Sequence, residues 1–210
     1  MTSWLHEERL HAALDALRAA GATRVLDLGC GDGDLLVRLA TDDRFERLVG
    51  VDLCAASLDR LRLRLASAEV RAGRVALFCA SMTEPRPELT GFDCAILIET
   101  IEHLDPGHLS RLERTLFHHL RPRAVVITTP NAEFNRLLGV PSHRFRHPDH
   151  RFEWSRARLR KWARRVATEA RYEVRFEDVG GCHPDLGGAS QMAVFRMIGP
   201  VRETERVSAA

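Results

Sequence analysis

Cysteine is sparse and shows no pairing pattern: five residues, at positions 30, 54, 79, 94 and 182, with no CxxC among them. An odd count without such a pair leaves no disulfide framework, and several of the five lie in apolar runs. They are expected to be small buried hydrophobes in a reducing compartment. No apolar run reaches the roughly eighteen residues that would mark a membrane helix. The opening MTSWLHEERLHAAL carries acidic residues and lacks the apolar stretch of a signal peptide, which points to the cytoplasm. Lysine is almost absent, Lys161 being the only one, so arginine carries the positive charge. Neither an internal repeat nor a second domain is visible.

What is present suits one globular domain. The chain has 210 residues, 45% of them apolar and 29% charged, enough for a sizeable core. The net charge of +2 is unevenly spread. Residues 111–175 hold fifteen Arg and one Lys against six Asp and Glu, a local +10. Such a bias suits a polyanion through counterion release, although solvated helix faces in an arginine-rich protein would look the same.

Residues 4–20 place Leu and Ala at helical spacing and stop at Gly21. RVLDL (24–28), RLVGVDL (47–53), RVALFCA (74–80), FDCAILI (92–98) and AVVITTP (124–130) read as strands. Helical patterns separate them, including 57–70 and roughly 107–120. After a helix at about 155–169, YEVRFEDV and SQMAVFRM add two strands. The expected fold is a single α/β domain with a doubly wound, mostly parallel seven-stranded sheet. Residues 1–22 would form a helix packed on the domain at 23–198, and 199–210 a flexible tail. Residues 131–154 are too many for an ordinary βα connection, and long loops at such positions are commonly functional.

In VLDLGCGDGDL, Gly29 and Gly31 allow close approach of a ligand, and the following helix offers free N–H groups. Asp52, at the end of the second strand, suits two ribose hydroxyls. This DLGCGDG pattern, with Asp27 leading and Asp52 following, resembles class I S-adenosylmethionine-dependent methyltransferases, whose fold is Rossmann-like. Asp32 and Asp34 would repel a pyrophosphate, whereas S-adenosylmethionine has none and is cationic. The resemblance implies that Asp27, Gly29 and Gly31 line the methionine side. Asp52 would bind the ribose, Leu53 would touch the adenine, and Ser81 would lie near the base.

Residues 99–103 read ETIEH, placing Glu99, Glu102 and His103 at i, i+3 and i+4, where a helix would show all three on one face. Two carboxylates and an imidazole are a partial shell for Mg²⁺, Mn²⁺ or Zn²⁺. The same pattern also occurs in methyltransferases of small molecules that need no metal. RHPDHRFEW (146–154) adds His147, Asp149 and His150 beyond the next strand, and one imidazole from it would complete the shell. Phe152 and Trp154 would wall the site or stack on a base.

Taken together, ETIEHLD, RPRAVVITTPNAEFN, RHPDHRFEWSR and SQMAVF resemble the small-RNA 3′-terminal 2′-O-methyltransferases. That family covers plant microRNA, animal piRNA and bacterial RNA-repair enzymes, and the likeness runs from about residue 24 to 196. It implies a metal-dependent transfer of a methyl group from S-adenosylmethionine to the 2′-OH of an RNA carrying a 3′-terminal 2′,3′-diol. It also implies that Glu99, Glu102, His103 and His150 hold Mn²⁺ or Mg²⁺. His147 matches a variable position, which leaves it a substrate contact. Two features depart from the bacterial members. The sequence shows no counterpart of the N-terminal module that bacterial repair members carry, so a partner from RNA repair or a small-RNA pathway is left open as an expectation. SMTEPRPEL lacks their Tyr-Arg-Asp after the third strand. The competing expectations are a metal-independent methyltransferase of a small molecule and an RNA-end-binding module without catalysis.

Overall fold

The computed structural model describes residues 4–68, 70 and 74–199. Helix α1 (Trp4–Ala19) leads into β1 (Arg24–Leu28), α2 (Asp34–Ala40), β2 (Arg47–Asp52), α3 (Ala55–Ser67), β3 (Val75–Cys79) and β4 (Cys94–Ile98). Helix α4 (Leu109–Glu113), β5 (Ala124–Pro130), α5 (Arg156–Ala170), β6 (Tyr172–Val179) and β7 (Ser190–Met197) follow. The strands form one sheet in the order β3-β2-β1-β4-β5-β7-β6, parallel except for β7, which runs against both neighbours. This is the doubly wound, mostly parallel seven-stranded sheet that the sequence predicts.

The strands are continuous apolar runs because both faces of the sheet are covered. Alternation along each strand sorts the side chains. Val25, Leu48, Ile96 and Val126 pack with Leu10, Leu14 and Leu17 of α1 and with residues of α2 and α3. Leu26, Val49, Leu97 and Ile127 pack on the opposite side with Leu112 of α4 and Trp162 and Val166 of α5. Winding reverses between β1 and β4, so their C-terminal ends flank the crevice where open sheets of this kind bind ligands.

Several local expectations are corrected. The helix expected over 107–120 is a 3₁₀ turn (Pro106–His108), then α4, then a wider π-helical stretch (Arg114–Leu120). The 131–154 connection holds a 3₁₀ helix (Ala132–Leu138), capped by Asn131, whose side chain accepts from the Glu133 N–H at 3.0 Å. A bridge between Asn131 and Trp154 closes the base of this loop. Only Cys30 and Cys94 are buried, and Cys54, Cys79 and Cys182 are exposed. Cys54 follows β2 into the crevice and Cys79 ends an edge strand, so those apolar runs meet solvent. No helix among the described residues is long and apolar enough to cross a membrane. The expected tail lies outside the described residues from position 200 onward.

Candidate functional site

The glycine-bearing turn after β1 is tied to β2 by N–H donation from Gly29 (2.7 Å) and Cys30 (3.1 Å) to the Val51 carbonyl. Gly29 has φ +79°, and a Cβ there would lie 2.3 Å from Thr100 Cγ2. Gly31 has φ +52°, and a Cβ there would meet nothing within 4 Å, so its Cα borders open space. Asp52 is oriented by N–H donors from Gly31 and Cys54, each at 2.8 Å. A cavity of about 400 Å³ opens here, lined by Gly29, Gly31, Asp52, Leu53 and Ser81 and also by Glu99, Thr100 and His103. Cleft and ETIEH segment are therefore one surface.

Asp27 does not line that cavity. It borders an adjoining cavity of about 260 Å³, with Gly29, Glu99 and His6 of α1. Burial, followed by the charge of Asp52, pushes its carboxyl up to about 7. Asp32 and Asp34 are not free acids: Arg60 binds Asp32 at 2.8 Å and Arg64 binds Asp34 at 2.7 Å. Their repulsion of a pyrophosphate is thus weaker than the sequence suggests.

ETIEH is not a helix opening. Glu99 takes φ +50°, and only Ile101–His103 forms a 3₁₀ turn. The Glu99 N–H is held by the Thr128 carbonyl (3.1 Å) and hydroxyl (3.0 Å), which fixes this left-handed residue. The three side chains consequently do not share a helix face. Glu102, His103 and His150 do converge, offering ligand atoms within 4.8 Å of one another. Glu99 is outside that group, in the cleft wall, with Oε2 3.7 Å from Arg9 Nη1.

Glu102 is fully buried, and its Oε2 accepts from Thr129 Oγ1 at 3.0 Å. Among the described residues, its Oε1, like that of Glu99, has no hydrogen-bond partner. Burial and then the Glu99 charge raise its carboxyl well above the ordinary range. His103 is pushed down by burial and then by the neighbouring His150 and His147, which keeps its imidazole neutral. His150 places Nδ1 2.6 Å from Glu153 Oε1, leaving Nε2 free as a lone-pair donor. An orphaned buried carboxylate oxygen beside two imidazoles is the donor set a divalent cation satisfies, so the residues fit a metal. His147 lies outside the converging group, 6.0 Å from His103 and 5.6 Å from His150 by ring centroid. Its Nδ1 accepts from the Asp149 N–H at 3.2 Å, so a neutral ring carries its proton on Nε2.

Phe152 and Trp154 are buried and stack on each other at 4.6 Å, so neither is available to a base. They anchor the loop to the core through Trp162 instead. Sequence reasoning missed Arg9 and His6, brought in by α1, and the residues that brace the loop. Glu153 accepts from Asn135 Nδ2 (2.6 Å) and the Arg146 N–H (2.7 Å), while the Arg146 guanidinium bonds the Ala189 carbonyl at 2.6 Å. Glu153 was visible as part of FEW, but nothing in the local pattern distinguished it.

A family model described as a methyltransferase domain matches residues 25–123. With the strand order and the glycine-lined crevice, it makes the chain a class I methyltransferase domain. The chain is similar to the methyltransferase domain of bacterial CtHen1, with 36% identity and a TM-score of 0.82 over 92% of this chain and 100% of that one. The structure of the small RNA methyltransferase HEN1 gives 30% identity and a TM-score of 0.85, covering 92% of this chain and 26% of that one. The small RNA 2′-O-methyltransferase of Gallus gallus is 37% identical over 91% of this chain and 53% of its own length. The chain belongs to the small RNA 2′-O-methyltransferase family. It spans about half the length of the Gallus gallus relative and 22% of the Arabidopsis thaliana one.

Proposed function

We propose that the chain transfers a methyl group from S-adenosylmethionine to the 2′-OH of the 3′-terminal nucleotide of an RNA, with a divalent metal, Mn²⁺ or Mg²⁺, at the reaction point. The observation that carries this reading is the continuity of the cleft beside Asp52 with His103, next to the Glu102–His103–His150 cluster. A methyl-donor pocket ends where a hydroxyl-activating centre begins.

Each residue then has a task. Asp52 accepts from the ribose hydroxyls of the cofactor, Leu53 and Ser81 flank its base, and the backbone at Gly29 and Gly31 admits its methionine portion. Asp27 faces the cationic amino group, which favours its ionised form. Glu102, His103 and His150 hold the metal, with Glu99 closing the wall between the two pockets. When bound, S-adenosylmethionine supplies an electrophilic methyl group and the divalent ion lowers the pKa of a hydroxyl it contacts. His147 Nε2–H is directed to an oxygen of the terminal nucleotide. The loop braced by Glu153 and Arg146 holds His150 against the end of the strand, an orientation effect that favours in-line transfer.

The test compares methyl transfer to a short RNA ending in a 2′,3′-diol, a 3′-phosphate or a 2′-deoxy sugar, with and without EDTA. Transfer confined to the diol and abolished by EDTA is expected. Equal transfer to all three ends would remove the terminal-hydroxyl reading. EDTA-insensitive transfer would return the chain to metal-independent methyltransferases, and metal-dependent binding without product would leave an RNA-end-binding module.

A further inference from the structure

The outward face of α5 carries a concentration of cations with no function in the site just described. Arg158, Arg160, Lys161 and Arg164 are all exposed. Among the described residues none of the four has a carboxylate at ion-pair distance. This differs from the rest of the helix: Arg156 is bound by Glu133 at 2.9 Å, and Arg165 by Glu113 at 2.8 Å and Glu169 at 2.9 Å.

Three of the unpaired cations are held over aromatic rings instead. Arg160 and Arg164 lie 5.8 and 5.6 Å from the centroid of Phe176, and Arg158 lies 5.5 Å from that of Trp154. A ring contact limits where a guanidinium can go without neutralising it, so its charge stays available to a ligand. Spacing of i and i+4 sets Arg160 above Arg164, and at about 1.5 Å per residue the stripe from Arg158 to Arg164 runs about 9 Å along the helix. It begins beside Trp154, at the base of the loop that bears His150, and leads away from the reaction point.

We infer that this face of α5 is the track for the RNA sugar–phosphate backbone upstream of the reacting 3′ end. The inference rests on the function proposed above and adds a second, sequence-independent contact region to it. Fixed, unpaired cations neutralise phosphates and release their counterions, which binds a strand without reading its bases. An acidic protein surface is the competing occupant and is separated by the test.

The test uses the full chain and the triple variant Arg160→Gln, Lys161→Gln and Arg164→Gln, in which glutamine preserves helix propensity. Binding of a labelled 20-nucleotide RNA is followed by fluorescence anisotropy across a salt series. Methyl transfer is measured on the same RNA and on a trinucleotide with a terminal diol. The variant is expected to bind the long RNA at least about tenfold more weakly. Its log–log salt slope should be smaller by roughly two, from about 0.7 per lost single-strand contact. The KM for the long RNA should rise while kcat and turnover of the trinucleotide stay unchanged. An unchanged slope and KM would overturn the inference and leave the face to another partner. Equal loss on both substrates would also overturn it, since the change would then act on the site or the fold. If the unaltered chain binds RNA through the stripe yet methylates nothing, the proposed function fails while the track stands.

Discussion

His150 Nδ1 lies 2.6 Å from Glu153 Oε1, with the two side chains 8% and 1% exposed. Burial alone would raise the Glu153 carboxyl, but hydrogen bonds from His150, Asn135 and the Arg146 backbone hold it below its usual range. An ionised Glu153 therefore keeps the proton of a neutral His150 on Nδ1 and leaves Nε2 as the nitrogen with a lone pair to offer. Such carboxylate–imidazole pairs typically change metal affinity by about 10–100-fold when broken. Glu153→Gln is expected to weaken Mn²⁺ binding by that order, measured by calorimetric titration, with S-adenosylmethionine affinity unaltered. Unchanged Mn²⁺ affinity would mean that the pair only braces the loop.

Glu102 makes the opposite use of burial. With no cation present, its carboxylate has one bonded and one orphaned oxygen in a fully buried position. Its folded pKa is raised, by burial and then by Glu99, so its favourable contribution is complete below the unfolded carboxylate pKa and is lost as pH rises through the raised value. Glu102→Gln should therefore stabilise the metal-free protein at neutral pH, by about 1–2 kcal/mol, and less at pH 4. In thermal melts the unaltered protein should gain stability on adding Mn²⁺, and the variant should not. A variant that melts lower than the unaltered metal-free protein at every pH would contradict this account.

The parts of the fold legible in sequence are those set by local pattern. AVVITTP, YEVRFEDV and SQMAVFRM correspond to β5, β6 and β7 residue for residue, because each is a run rich in β-branched, aromatic and other apolar residues. The spacing of ETIEH was legible but its backbone was not. An i, i+3, i+4 pattern looks the same before a 3₁₀ turn as in a helix, and the distinction depends on Thr128 holding Glu99 from the next strand. Trp154 was legible as an aromatic near the site, yet whether it faces RNA or core depends on Trp162, a residue on α5. Arg9 left no local signal, since it reaches Glu99 only through the docking of α1 across the sheet.

Asp27, in the cavity adjoining the proposed cofactor cleft, gives the site a pH dependence of its own. Its pKa is raised from 3.8 to about 7, by burial first and Asp52 second. The stability it contributes is fully present below pH 3.8 and is lost as pH rises through about 7. The cofactor-free protein should thus lose stability between those limits relative to Asp27→Asn, whose amide does not titrate. A cationic amino group beside Asp27 reverses the preference, so S-adenosylmethionine affinity should rise with pH up to about 8 and lose that rise in Asp27→Asn. Parallel pH profiles for the two proteins, in melting and in binding, would rule out Asp27 as the titrating group.

Gly29 and Gly31 separate the two halves of the site by their surroundings. An alanine at either position meets an unfavourable left-handed φ, which costs about 1–2 kcal/mol. At Gly31 the added methyl points into open space, so it obstructs only what enters the cleft. At Gly29 it would lie 2.3 Å from Thr100 Cγ2 and 2.9 Å from Thr100 Oγ1. Thr100 sits between Glu99 and the 3₁₀ turn that carries Glu102 and His103, and its hydroxyl is bonded to the Ile98 carbonyl at 3.0 Å. Displacing it shifts Glu102 and His103, two of the residues proposed to hold the metal. Gly31→Ala is therefore expected to weaken S-adenosylmethionine binding about tenfold or more with Mn²⁺ affinity intact, whereas Gly29→Ala weakens both. Adding Thr100→Ala to Gly29→Ala removes the two shortest contacts, leaving the residue 100 Cβ at 3.2 Å, but not the strained φ, so Mn²⁺ affinity should recover in part while cofactor affinity stays low. Calorimetric titration of both ligands against the three proteins decides it. Loss of cofactor binding alone in Gly29→Ala would show that the two halves of the site are not mechanically joined at Thr100.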